Sequence, residues 1–325
     1  MAEFTGVPLV LTAGIFYNSP DNPRFEQSLA FAEACSDNNL PAVFVDASPM
    51  KSEGDTWVAD AHRERGGIVL RAEVAGIATQ RKQGVAYAIA GGAIRVVGTE
   101  SEKVEIPDFA DEMADALDGT DILVVGRTQE AEDSLPPTQQ LTERLAGWIL
   151  QETHFLPHDA LAGPRGFSVA GARVLADYPA NKDGMNNWIY MYDTPVEARR
   201  RGLRVGGLDL GFIYPTELVE DETGDSMFDK KRYDQFEMQL RHLLPAVRDN
   251  AHAPTYSRDI ARATLTLLDM ESFKDGDNVQ KGKLLNALGG AFMGAKELPN
   301  KYSFAERLLS PNSNSIEFTL DDLLQ

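Results

Sequence analysis

The chain of 325 residues is long enough to bury a large core, and 43% hydrophobic with 8% aromatic content is that of a globular protein. A formal charge of -19 and a pI near 4.7 exclude a general nucleic-acid binder, because phosphate binding needs a basic field. Cys35 is the single cysteine, so no intrachain disulfide forms and the thiol is expected to be structural. No apolar run approaches the roughly 20 residues of a membrane span, and MAEFTG has no basic region before an apolar stretch, so a soluble, cytoplasmic protein is expected.

Val7 to Thr12 is an apolar run of strand length, followed by Ala13, Gly14 and a polar loop, YNSPDNP. Asn22 as cap and Pro23 at the first helical position predict a helix to about Asp37, with Phe25, Leu29 and Ala32 along one stripe. Pro41 opens a second strand, AVFVDAS, stopping at Asp46. An acid there suits a ribose or a base, and Asp also ends strands as a turn former. Val58 to Arg65 reads as a short helix and IVLRAE as the next strand.

Gly76 to Glu105 joins a Gly-opened amphipathic helix to a short apolar strand that ends in a charged cluster. Ile77, Val85, Ala88 and Ile89 lie near one helical face, with Thr79, Arg81, Lys82 and Gln83 starting on the polar side. Arg95 to Gly98 reads as a buried strand ending in Glu100, Ser101, Glu102 and Lys103, the end at which open α/β sheets hold ligands. Pro107 to Leu117 is a further helix and DILVVG from Asp121 a fifth strand. This alternation predicts an α/β fold, a mainly parallel sheet with helices on both faces.

From Arg127 the pattern changes. RTQEAEDSLPPTQQ reads as a long polar loop, and the helix carrying Leu141, Leu145, Trp148 and Ile149 leads to no obvious parallel strand. His154 and His158 stand in a Pro- and Gly-rich loop with Pro157 between them, so polar loop residues are expected there in preference to a helical zinc pair. Thr194-Pro195-Val196-Glu197 has the form of a capping box. Leu208, Leu210, Phe212 and Tyr214 alternate as on a half-buried strand, and the acidic stretch from Glu217 to Asp225 is expected to be a solvated loop. A long helix over Asp229 to Asn250 and two or three helical segments beyond Pro254 complete the chain. The expected division is 1–250 for the α/β domain and 251–325 for a helical C-terminal extension, which suits a flap, a homodimer contact or a loose tail.

GIATQRKQG, followed by a strand and an acidic cluster, resembles the G-x-x-x-A-R-N-x-G helix and DxD strand end of GT-A glycosyltransferases. Val7 to Tyr17 resembles their first strand with its V-I-P-x-Y-N ending. KDGMNNW and EARRRGLRV resemble the E-D-x-x-W helix and the A-x-x-x-G-x-R-V run into a strand. The likeness covers about Val7 to Pro215. A narrower likeness, to sugar-phosphoglycerate synthases, rests on QLTERLAGWIL, DALAGPRGFS and GLDLGFIYP. What the resemblance implies is a GT-A-like, Rossmann-like fold and transfer of a sugar from a nucleotide donor, UDP- or GDP-linked, to a small-molecule or glycan hydroxyl. It places Thr12, Ala13, Tyr17, Asp46, Arg81, Lys103, Arg127 and Arg165 around the donor, and Glu100 and Glu102 at Mg²⁺ or Mn²⁺. Asp183 stands at the motif's acid, as general base in an inverting mechanism or else as a helix cap.

The sequence departs from the family pattern in two places. The DxD position reads Thr99-Glu100-Ser101-Glu102, and Tyr214-Pro215 stands where a metal-binding His is expected. With hard carboxylate oxygens, Glu100 or Glu102 is still expected to coordinate Mg²⁺, the alternative being that Lys103 neutralises the diphosphate directly. Asp46, Arg81 and Glu102 are expected near one nucleotide. The alternatives are a non-catalytic binding or scaffold protein of the same fold, and a dehydrogenase, against which the first strand offers no G-x-G-x-x-G.

Overall fold

The computed structural model describes residues 2–50, 56–152, 161–179, 188–251, 253 and 255–297. They fall into two compact units, Met1–Ser134 with Leu156–Glu220, and Leu135–Phe155 with Asp221–Gln325.

The first unit alternates strand and helix: β1 (Val10–Ile15), α1 (Pro23–Asp37), β2 (Ala42–Asp46), α2 (Trp57–Arg63), β3 (Ile68–Arg71), α3 (Ile77–Ala90) and β4 (Arg95–Glu100). A 3₁₀ turn at Ile106–Phe109 leads to α4 (Ala110–Asp118) and β5 (Ile122–Arg127), followed by a short α5 (Gln129–Asp133). Here the chain was expected to be an irregular polar loop, but the Thr128 side chain accepts from Ala131 N and starts a helical turn.

Among the described residues seven strands form one sheet in the order β3-β2-β1-β4-β6-β5-β7, where β6 is Arg165–Ser168 and β7 is Val205–Leu210. All pairings are parallel except those of β6, which runs antiparallel between β4 and β5. The sheet is the mainly parallel, helix-flanked α/β architecture expected. Its sixth strand escapes a search for long apolar runs because RGFS is short and Gly-bearing.

Period-two alternation sorts the sheet's side chains onto its two faces. Leu9, Leu11, Ala13 and Ile15 pack with Phe31, Phe44, Val97 and Met113 on the α1 side. Val10, Val43, Val96, Ile122 and Phe167 pack with Ala78, Val85 and Ala88 of α3 on the other. The first strand thus runs three residues beyond its expected end, because Ala13, Gly14 and Ile15 pair with β2 and β4 on either side.

Among the described residues, two helices between β6 and β7 close the α3 face. Ser168 caps α7 (Val169–Asp177) by accepting from Gly171 N. Then α8 (Tyr190–Arg200) begins before the expected capping box, so Pro195 lies inside the helix and the buried Thr194 hydroxyl donates to Tyr190 O at 2.7 Å. The acidic stretch after β7 is also ordered, as α9 (Thr216–Glu222), in which Leu218 and Glu222 are buried.

The second unit is helical: α6 (Pro137–Glu152), α10 (Ser226–Arg248), α11 (Thr255–Asp269), α12 (Glu271–Lys274) and α13 (Asn278–Glu297). Asp225 caps α10, whose Phe236, Leu240, Leu243, Leu244 and Val247 are buried at helical spacing. This helix packs on α11 and α6. Arg232 Nη1 and Glu143 Oε1, 3.4 Å apart with side chains 12% and 11% exposed, tie α10 to α6.

Candidate functional site

Parallel strands carry their backbone carbonyls and following loops to one common edge. Here that edge bears Tyr17 after β1, Asp46 at the end of β2, Glu100 at the end of β4 and Arg127 at the end of β5, and the reversed β6 brings Arg165 to it as well. Register places Gly14 beside Glu100 and Ile15 beside Asp46.

Glu100 shares its side of β4 with Val96 and Gly98, the side that α3 covers. Arg81 reaches it from α3 by lying across Gly98, where a Cβ would overlap Arg81 Cδ. Its Nη2 is 3.0 Å from Glu100 Oε1, and Lys103 Nζ is 2.8 Å from Oε2. A backbone turn, Lys103 N to Glu100 O at 3.3 Å, sets the lysine over the carboxylate. Gly163, at φ +101°, packs against the same carboxylate in a left-handed conformation with no room for a Cβ. Burial alone would raise the Glu100 pKa, but the charges of Lys103 and Arg81 outweigh it and hold the group at about 2. Arg81 is thus a buried sheet-facing residue of α3, at the phase of Val85 and Ala88, where its polarity had led to its expectation on the polar side. Beside this pair the Tyr190 hydroxyl is buried with no hydrogen-bond partner, as are Arg81 Nε and Nη1.

A second cluster occupies the opening of the same edge. Arg24, in the first turn of α1, sets Nη1 2.7 Å from Glu102 Oε1 and donates from Nη2 to the Tyr214 hydroxyl at 3.4 Å. The Tyr17 and Ser101 hydroxyls are 3.1 Å apart, and Tyr17 N donates to Ser48 Oγ at 2.9 Å. Burial, then the charge of Glu102, raises the Tyr17 pKa, so this phenol stays protonated. Lys103 Nζ also lies 5.9 Å from the Phe212 ring centroid.

Asp46 does not join them. One of its oxygens accepts from Ser48 N at 2.8 Å, and the other accepts the short hydrogen bond of Thr56 Oγ1, the cap of α2. Arg71 Nη1 stands 3.8 Å from that second oxygen. Asp46 therefore lies on the α2 side of the sheet, whereas Arg81 lies on the α3 side, and the expected meeting of Asp46, Arg81 and Glu102 at one nucleotide is not formed by these side chains. Thr12 and Ala13, expected at a strand end, lie within β1 and are 1% and 2% exposed. Arg165 is fully buried and donates to Pro164 O at 2.7 Å and Met191 O at 3.3 Å. Arg127 is nearly buried at the end of β5. Asp183, His154 and His158 lie outside the described residues.

Mg²⁺ and Mn²⁺ require carboxylate oxygens open to them. Each oxygen of Glu100 already faces a cation and Glu102 faces Arg24, so a divalent ion would have to displace a fixed positive charge at either residue. Among the described residues no group of three or more His, Cys, Asp or Glu is placed to hold a metal. The expected metal set of Glu100 and Glu102 does not fit a divalent ion in this arrangement. Arg24 was missed in the sequence. Its signal was only its place in the first turn of a Pro-opened helix, where a cation opposes the helix dipole and needs a compensating acid.

No protein-family model and no curated protein matches the chain. Solved structures similar to it include a protein assigned as a nucleotide-diphospho-sugar transferase from Desulfovibrio desulfuricans G20, at 13% identity and TM-score 0.41, covering 74% of this chain and 97% of that one. The mannosyltransferase PcManGT from Pyrobaculum calidifontis, solved with GDP-Man and Mn²⁺, is similar at 15% identity and TM-score 0.48, covering 98% and 85%. S. aureus TarS is similar at 12% identity and TM-score 0.38, and this chain spans 43% of its length. Among the described residues no helix is long and apolar enough to cross a membrane.

Proposed function

We propose that this chain is a glycosyltransferase of GT-A type, which moves a sugar from a nucleoside-diphosphate donor to an acceptor hydroxyl at the carboxyl edge of its sheet. The observation that carries this reading is the Arg81–Glu100–Lys103 cluster at the end of β4, where the sequence resemblance puts the donor phosphates. Two cations around one ionised carboxylate leave a net positive charge at the ligand edge of an otherwise acidic protein.

The chemistry asks for that charge. When the bond between the sugar's anomeric carbon and the phosphate oxygen breaks, its electron pair passes to the diphosphate, and cations held in place beforehand stabilise the charge as it develops. Lys103, half-buried, is the most accessible member of the cluster and the one assigned to the diphosphate. The acceptor hydroxyl loses its proton to a base in the inverting variant, the role proposed for Asp183. Tyr17, held as a neutral phenol against Ser101, is assigned to donor hydrogen bonding.

The test is a thermal-shift screen of UDP, GDP, CDP and their sugars, followed by hydrolysis assays with those that bind. A ligand held only by the native state at about 100 times its Kd adds about 2.7 kcal/mol of stability. A shift with one nucleotide class, together with release of that nucleotide from its sugar, is the expected result. No shift with any of them overturns the proposal, and binding without turnover reduces it to a binding protein of this fold.

A further inference from the structure

Resting on that reading, we infer that the donor diphosphate is bound without a divalent cation: Lys103 leaves Glu100 for a phosphate oxygen, and Arg81 stays behind to keep Glu100 neutralised. Glu100 is on this account a positioning residue, which stores the lysine beside the place where it is needed.

Three observations carry the inference. The first is the occupancy of the carboxylate, with Arg81 on Oε1 at 3.0 Å and Lys103 on Oε2 at 2.8 Å. A divalent ion approaching Glu100 would meet these cations before it met an open oxygen, and one approaching Glu102 would meet Arg24 at 2.7 Å. The second is the gradient of exposure, from 1% for the Arg81 side chain through 13% for Glu100 to 19% for Lys103. Arg81 is held across Gly98 by close packing, so the inner ion pair stays, whereas Lys103 stands at the exposed end of the cluster on a flexible stem of four carbons. The third is charge balance. With Lys103 on Glu100 the cluster is +1, and when the ammonium turns to a phosphate the remaining Arg81–Glu100 pair is neutral. The transfer therefore leaves no uncompensated buried charge, which is the usual obstacle to opening a buried ion pair. Phe212, whose ring centroid is 5.9 Å from Nζ, offers the ammonium an aromatic face close to its resting position.

The experiment is calorimetric titration of the full-length chain with GDP and with UDP, in EDTA and separately in excess Mg²⁺ or Mn²⁺. The expected result is binding of one nucleotide in EDTA, with an affinity that either ion changes by no more than about threefold, well below the tenfold that corresponds to about 1.4 kcal/mol. Lys103→Met, checked for native circular dichroism, should weaken that binding by roughly tenfold or more, the scale of one charge-assisted hydrogen bond, and Lys103→Arg should restore most of it. Binding only in the presence of Mg²⁺ or Mn²⁺ overturns the inference and leaves the proposed function standing. Unchanged affinity in Lys103→Met overturns the assigned role of the lysine. Absence of nucleotide binding under every condition overturns the proposed function, and this inference with it.

Discussion

Arg165 Nε donates to the carbonyl of Met191 at 3.3 Å, and Met191 is the residue whose helical partner is Pro195. Proline has no N–H, so the carbonyl four residues before it loses its bond within the helix. A buried carbonyl left alone is costly, and the arginine supplies the donor from the neighbouring strand. Thus a side chain that the resemblance assigned to the donor is consumed in holding α8 to the sheet.

This gives a double-mutant prediction. Arg165→Met should destabilise the protein by about 1–3 kcal/mol for each abandoned carbonyl. In a Pro195→Ala background the new amide can serve Met191 O, so the same substitution should cost about 1 kcal/mol less. Urea unfolding of the four proteins measures the coupling. Additivity to within about 0.3 kcal/mol would show that the two residues do not share the carbonyl.

Glu100→Gln leaves Arg81 buried against a neutral acceptor and should cost about 3–5 kcal/mol at neutral pH. The sign of the pH dependence follows from the depressed pKa. The unfolded carboxyl takes up its proton near 4.5 and the folded one near 2, so the stabilisation is complete above pH 4.5 and is lost as the pH falls toward 2. Chemical-denaturation midpoints across that window should fall more steeply for the natural protein than for Glu100→Gln, and equal slopes would remove the ion pairs from the account.

His62 behaves in the same direction at a higher pH. Its Nδ1–H donates to Val58 O at 2.8 Å, so Nε2 accepts from the Ser28 hydroxyl at 2.7 Å and the buried ring is neutral. Burial lowers its pKa below the ordinary 6.5, with the hydrogen bond to Val58 O and then the field of Asp46 opposing this only in part. The unfolded state therefore binds the proton first. Stability should be full above about pH 6.5 and should decline below it, and His62→Gln should lack this component of the slope in melting experiments between pH 7 and about pH 5.

Gly98→Ala tests the packing that holds Arg81 in place. The added methyl group meets Arg81 Cδ inside contact distance, with β4 paired on both sides and unable to yield, so a loss of about 1–3 kcal/mol is expected. Gly119→Ala, whose Cβ would meet only Ala116 O at 3.9 Å, should stay within about 0.5 kcal/mol. Similar losses in the two variants would refute the assigned contact.

The sequence by itself determined the elements whose signals are local. Alternation of apolar runs with amphipathic stretches marked the first five strands, Asn22 and Pro23 the start of α1, and the altered acidic cluster the end of β4, because caps and periodicities act within a few residues. Only the tertiary structure decided the features that join distant segments. RGFS becomes a strand because β4 and β5 leave a gap that it can fill in reverse. Pro195 is tolerated inside a helix because Arg165 answers the carbonyl it orphans. Arg81 was expected on the outer face for its polarity, although its spacing of four from Ile77 and Val85 is the phase of the buried face, and it is buried because Glu100, 19 residues away in the chain, supplies the opposite charge and Gly98 supplies the space. A charge can be buried only where a partner compensates its desolvation, and the partner is chosen by the fold.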